Sequence, residues 1–201
     1  MLLSNVKEIE IPEGKVKQIA KGSEILWKKS GIRFVNFLVA NGSQYINTGL
    51  TGGRYVIELG CQALSIPSNG TLPVGTKNFY IFLSAETVVG YNTTGTQITF
   101  NNTNLDFHTY RHTGTQLFVD GVLKATRTLA STSGALYLFK ASGYMDRLST
   151  TKMSFCKIWD YTTNSLLRDY VPALDENGRA GFFDRVSQTF KFSEVGDFLY
   201  E

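Results

Sequence analysis

From residue 33 onward the sequence is a succession of short apolar or alternating segments, each closed by a turn signal, with no convincing amphipathic helix between them. Residues 34–39 run apolar and stop at Asn41-Gly42; residues 44–48 stop at Gly49. Residues 55–64 alternate, placing Tyr55, Ile57, Leu59, Cys61 and Ala63 on one face. Residues 78–85 are apolar on both faces, as in a strand covered from each side. Further strands are expected at 97–100, 107–112, 115–119, 122–128, 135–139 and 153–161. Turns are expected at 69–70, 93–95, 101–104, 120–121, 131–134 and near 146–151. Many short strands at this spacing, without a fixed internal repeat, specify an all-β sandwich or barrel.

The sharpest local signal is Leu117-Phe118-Val119-Asp120-Gly121-Val122-Leu123. Asp-Gly between two apolar runs predicts a two-residue hairpin, because both central residues of a type I′ turn need positive φ. Asp120 is therefore read as a turn residue and not as a catalyst.

The 201-residue chain is long enough for one sandwich with a small appendage, and its core needs neither disulfide nor metal. Aromatics make up 13% and glycines number 19, a balance that favours pleated strands and tight turns. The net charge of +3 comes from 20 basic and 17 acidic residues spread along the chain. Lys28-Lys29 is the only basic block, so the footprint of a nucleic-acid binder is missing. No apolar run approaches the roughly 20 residues of a membrane span. Lys7, Glu8 and Glu10 follow Met1 too closely for a signal-peptide core, so no signal peptide is expected and assembly is expected in the cytoplasm. Cys61 and Cys156 are too few for a disulfide framework. Each lies in an apolar strand pattern and reads as a buried thiol, their proximity left open.

Residues 1–30 read as a separate β meander for docking or oligomerisation, and residues 31–201 as the sandwich. Ile9 and Ile11 alternate with charges, Pro12-Glu13-Gly14 turns the chain, Val16 and Ile19 follow, and Ile25 with Trp27 ends a third short strand after Lys21-Gly22-Ser23. Three such strands bury too little apolar surface to stand alone. They must pack on the sandwich, a sister subunit or a larger assembly.

His108-Thr109-Tyr110-Arg111, a short turn, and Leu117-Phe118-Val119-Asp120-Gly121 resemble the central hairpin of laminin-G/concanavalin-A-like jelly-roll domains. Asn41-Gly42-Ser43-Gln44-Tyr45-Ile46-Asn47-Thr48-Gly49 is similar to the opening strand of that family in phage and prophage structural proteins. The most specific match is the closing block, Met153-Ser154-Phe155-Cys156-Lys157-Ile158-Trp159-Asp160 leading into Leu167-Arg168-Asp169-Tyr170-Val171-Pro172-Ala173. It continues through Gly181-Phe182-Phe183-Asp184 to Phe190, Gly196 and Asp197-Phe198, so the resemblance covers about residues 33–199. Val6-Lys7-Glu8-Ile9, Ile11-Pro12-Glu13-Gly14 and Ile25-Leu26-Trp27 resemble a short β module found beside such domains. The resemblance implies a two-sheet antiparallel jelly roll, usually non-catalytic, displayed on a virion or cell surface and often taken to bind glycans; it identifies no ligand. It also accounts for a missing signal peptide, since virion proteins assemble in the host cytoplasm and leave by lysis.

Catalytic and metal chemistry find little footing. A retaining glycosidase needs carboxylates about 5–5.5 Å apart. The Glu-x-Asp-x-Glu strand pattern that would supply them is absent: Glu58 and Glu86 are isolated, and Glu8-x-Glu10 lies in the N-terminal module. His108 and His112 would stand about 13 Å apart on a strand and cannot share a zinc ion. Neither a Gly-x-Ser-x-Gly elbow nor a phosphate loop occurs. No cofactor, metal or enzymatic activity is expected. Calcium is compatible with the resemblance, but the loop carboxylates Asp146, Asp175 and Glu176 form no pattern that indicates it.

A lectin site needs exposed rings for the apolar sugar faces, and amides or charges for the hydroxyls. On the strand at 153–161, Phe155, Lys157, Trp159 and Tyr161 share one face while Cys156 and Ile158 share the other. A lysine within an aromatic face implies that the face is partly wet. The competing reading puts Trp159 in the core or under the C-terminal segment. Candidate carbohydrate-binding residues are Trp159, Lys157 and Tyr161, with Tyr91, Arg111 and Tyr144. Two functions stay open: a virion protein that binds host-surface glycan and docks through residues 1–30, and a structural capsid or tail decoration protein with no ligand. A third is the accessory domain of an enzyme. Expected partners are host-cell glycan, other virion proteins and further copies of the chain, with no nucleic acid and no membrane.

Overall fold

An extended segment that alternates apolar and polar side chains has one face to hide, and here two antiparallel sheets hide theirs against each other. The computed structural model describes residues 18–21, 24–28, 31–65, 70–83, 87–91, 97–101, 105–126, 133–141 and 149–201, with the backbone alone for 18–21, 24–28, 87–91 and 97–101. In chain order the strands are β1 (Gln18–Lys21), β2 (Glu24–Lys28), β3 (Arg33–Phe34), β4 (Leu38–Val39), β5 (Ile46–Thr51), β6 (Tyr55–Ala63), β7 (Thr71–Gly75), β8 (Tyr80–Leu83), β9 (Thr87–Tyr91) and β10 (Gln97–Asn101). They continue with β11 (His108–His112), β12 (Gln116–Val119), β13 (Val122–Thr126), β14 (Ala135–Leu138), β15 (Thr151–Asp160), β16 (Leu166–Leu174), β17 (Ala180–Asp184), β18 (Thr189–Lys191) and β19 (Leu199–Tyr200).

The larger sheet has 11 strands along the path β13-β12-β11-β6-β15-β16-β17-β18, with the short β3, β4 and β19 paired at its rim. The smaller has 6, in the order β10-β9-β8-β7-β14-β5, and β1 pairs with β2 alone. Strand pairing is antiparallel throughout the described residues, which contain no helix. The protein is an all-β, two-sheet, jelly-roll-like sandwich: the strand pattern predicts a sandwich or barrel, and the family resemblance implies the jelly roll.

β6 and β15 lie at the centre of the larger sheet. Tyr55, Ile57, Leu59, Cys61 and Ala63 all face the core, in line with their alternation. On β15 the inward residues are Met153, Cys156 and Ile158, a spacing that breaks the period of two. A bulge at Ser154 is the cause: Met153 pairs with Cys61 but Phe155 with Gly60, so β15 carries one extra residue. Without it Cys156 and Ile158 would turn to solvent, and Lys157 would turn into the core. Val74, Ile81, Leu136 and Leu138 close the core from the smaller sheet, and Tyr170, Phe182 and Phe198 from the closing block. Cys61 and Cys156 lie on these two paired strands, buried and unbonded, and burial pushes both thiol pKa values up.

The structure differs from the sequence reading in several places. β7 and β9 were not expected. β7 holds Pro73, which lacks the N–H a central strand donates. The β7–β8 ladder accordingly shifts register between Thr71 and Val74. Residues 34–39 form two pieces, β3 and β4, that pair with β16 and β15; between them the Asn36 and Phe37 amides both donate to the Glu201 carbonyl. The Asp120-Gly121 turn is as predicted, with φ of 51° and 76°. β1 and β2 correspond to the second and third strands of the N-terminal meander; its first strand, with Ile9 and Ile11, lies outside the described residues.

Candidate functional site

The bulge at Ser154 decides what β15 shows to solvent, and its neighbours complete the face. In register, Arg111 on β11 stands opposite Glu58 on β6, Glu58 opposite Lys157 on β15, and Lys157 opposite Asp169 on β16. One row across four strands therefore alternates positive, negative, positive, negative, the arrangement in which cross-strand charges attract. Arg111 Nε lies 3.8 Å from Glu58 Oε2, and Arg185 NH1 lies 3.9 Å from Asp169 Oδ2. Lys157 makes no ion pair or hydrogen bond among the described residues, although carboxylates flank it on both sides.

Aromatic side chains border this row. Trp159, opposite Val56, is half-buried, and no other ring packs on its indole among the described residues. It is not among the fully buried residues of the core cluster. Beyond it Tyr161 is 37% exposed. Asp160 fixes that end of β15, its Oδ1 accepting the Thr162 and Thr163 amides at 2.9 and 2.8 Å. The Thr163 amide bond, foremost, holds this carboxyl below its usual pKa. On the other side of the row, Gly60 lets two rings lie against the strand: a Cβ there would fall 2.7 Å from Phe155 and from Phe107. Phe118 stands opposite Arg111 on β12 and, with Glu58, Thr109, Arg111 and Gly121, lines a shallow pocket of about 270 Å³.

Arg111, Lys157 and Trp159 thus share the outer side of the larger sheet, while Tyr161 follows the end of β15, exposed in the turn. Tyr91 does not join them: it ends β9 in the smaller sheet, opposite Tyr80. Tyr144 lies outside the described residues. Glu58, Asp169 and Phe118 complete the face and were not candidates, because only strand register shows which residues oppose Arg111 and Lys157.

Glu58 and Asp169 stand two strand spacings apart, about 9.5 Å, with Lys157 between them. The Asp169 Oδ1 atom is sealed from solvent without a hydrogen-bond partner. No group of three or more His, Cys, Asp or Glu able to hold a metal ion occurs among the described residues. Asp175, one of the loop carboxylates, accepts the Asn177 and Arg179 amides and serves as a turn. His112 points into the core, and His108 Nδ1 lies 2.7 Å from Asp120 Oδ2.

No protein-family model and no curated protein matches the chain. Among solved structures it is similar to a candidate carbohydrate-binding protein from Bacteroides ovatus, with a TM-score of 0.60 and 13% sequence identity. The match covers 90% of this chain and 64% of that one, so this chain spans less than two thirds of its neighbour's length. At this identity the likeness establishes the fold: an all-β sandwich shared with a candidate carbohydrate binder.

Proposed function

We propose that the chain is a non-catalytic glycan-binding protein that holds sugar on the outer face of its larger sheet. The observation that carries this reading is the charged row Arg111–Glu58–Lys157–Asp169 with Trp159 beside it on the same face. Trp159 offers a ring to an apolar sugar face, while Lys157, Arg111 and Glu58 offer donors and acceptors to hydroxyls. The fold shared with a candidate carbohydrate binder supports the reading. The resemblance of the closing block to phage-associated domains adds its setting: display on a virion, assembly in the host cytoplasm, and docking to other virion proteins through residues 1–30. A weak site of this kind gains avidity, often about 10²–10⁴, when many copies face one cell surface.

A glycan array probed with the full chain and with Trp159→Ala tests this. The full chain should retain a defined set of glycans. The variant should lose at least about tenfold in affinity, roughly 1.4 kcal/mol, with its melting temperature little changed. Retention of no glycan by the full chain would favour a decoration protein without a ligand. Equal retention by both would move the site away from Trp159.

A further inference from the structure

Lys140, just past β14, is 3% exposed, yet no carboxylate pairs with it among the described residues. Other cations on this protein find acids: Lys152 Nζ is 3.0 Å from Glu201 and Arg179 Nε 3.0 Å from Asp197. Lys140 finds two tyrosines instead. Its Nζ lies 3.8 Å from the centroid of the Tyr45 ring and 5.3 Å from that of Tyr137, and the two rings meet edge to face at 5.9 Å. Aromatic faces attract an ammonium without neutralising it, so this cage preserves a positive charge in a confined place. Lys140 Nζ makes no hydrogen bond among the described residues.

The surroundings are rich in donors. Ile46 and Thr48 of β5 turn inward, which sends Tyr45 and Asn47 to the outer face of the smaller sheet. Asn47 stands opposite Tyr137 in the β14–β5 register. The Asn47 carbonyl oxygen accepts the Gly49 amide at 2.9 Å, and its NH₂ has no partner among the described residues. The Tyr45 and Tyr137 hydroxyls likewise have none there. Tyr45 is held in place by its backbone, which donates to Ser193 Oγ at 3.3 Å and accepts the Glu194 amide at 2.9 Å. A caged cation, two phenols and one amide are what an oxyanion carried on a hydroxyl-rich molecule requires.

We propose that Lys140, Tyr45, Tyr137 and Asn47 form a second binding site, on the outer face of the smaller sheet, for a glycan bearing an anionic group, a carboxylate or a phosphodiester. The site is separate from the Trp159 face and does not depend on it. Burial lowers the Lys140 pKa, and a bound oxyanion would oppose that effect.

Calorimetric titration of the full chain with trigalacturonate, a glycerol-phosphate oligomer and neutral galactotriose tests the proposal. At least one of the two anions should bind, and galactotriose should not compete with it. Lys140→Met, which keeps the length of the side chain and removes a confined charge, should fold normally and bind at least tenfold more weakly. Tyr137→Phe removes only a hydroxyl and should weaken binding about threefold, which keeps the test decisive if the lysine variant misfolds. Trp159→Ala should bind as the unmodified chain does, which separates this site from the one on the larger sheet. Binding of the phosphate oligomer alone, with the same dependence on Lys140, would support the proposal and assign the anion. Absence of binding by both anions at about 10 mM would overturn it, as would binding unaffected by Lys140→Met or displacement of the bound anion by galactotriose.

Discussion

Asp184→Ala is expected to lower the stability of the protein by about 3–5 kcal/mol, the loss typical of breaking a buried ionic network on one side. Asp184 is fully buried at the end of β17. Its Oδ1 accepts the amides of Asp169 and Val186 at 3.0 and 3.1 Å, and its Oδ2 accepts the Ser187 hydroxyl at 2.7 Å. Arg168 Nε stands 3.6 Å away and also donates to the Thr48 carbonyl of β5, in the opposite sheet. One carboxylate therefore organises β16, the turn after β17 and a cation that ties the two sheets together. Alanine would leave the Asp169 and Val186 amides without this acceptor and Arg168 without its carboxylate. Asp184→Asn keeps one acceptor oxygen and should cost less. Urea unfolding of the three proteins checks the order, and a loss below about 1 kcal/mol for alanine would contradict the network's role.

Acid should weaken the protein through a single histidine, by about 2 kcal/mol at pH 5 and about 4 kcal/mol at pH 3 relative to pH 7. Burial holds the His112 pKa down to about 3, against 6.5 for a free imidazole. Its Nδ1 accepts the Gly114 amide at 2.8 Å, and its ring centroid lies 4.3 Å from that of Phe79. A second proton would have to go on Nδ1, where an N–H already points. The folded state therefore stays neutral while the unfolded chain takes up a proton below pH 6.5. Stability is whole above that pH and falls as the pH drops toward 3. His112→Asn can still accept the Gly114 amide and cannot titrate, so its unfolding free energy should lack this part of the pH dependence. Parallel pH profiles for the two proteins would contradict the assignment.

Most of the sandwich was legible in the sequence because β structure writes a period of two. Tyr55 to Ala63 and the Asp120-Gly121 hairpin needed only alternation and positive φ. The alternation from Phe155 to Tyr161 survived because the Ser154 bulge lies upstream of it; no residue pattern marked that bulge. β7 was hidden by Pro73. The candidate binding face was half legible. Alternation placed Lys157 and Trp159 together, but their partners come from positions 58, 111 and 169, which only strand register brings alongside. The same limit separated Tyr91 from the group, since nothing local says which sheet a strand will join. No sequence pattern marks Lys140, because its cage depends on Tyr45, far away along the chain.

Glycan held on Trp159, as proposed, would be reported directly by the indole's own emission. The chain has 2 tryptophans, Trp27 and Trp159, so a Trp27→Phe variant leaves one emitter. Titrating that variant with a glycan retained on the array should shift its fluorescence to the blue, saturating with the affinity measured by calorimetry. Calorimetric binding of the same glycan with no change in Trp159 emission would contradict the account.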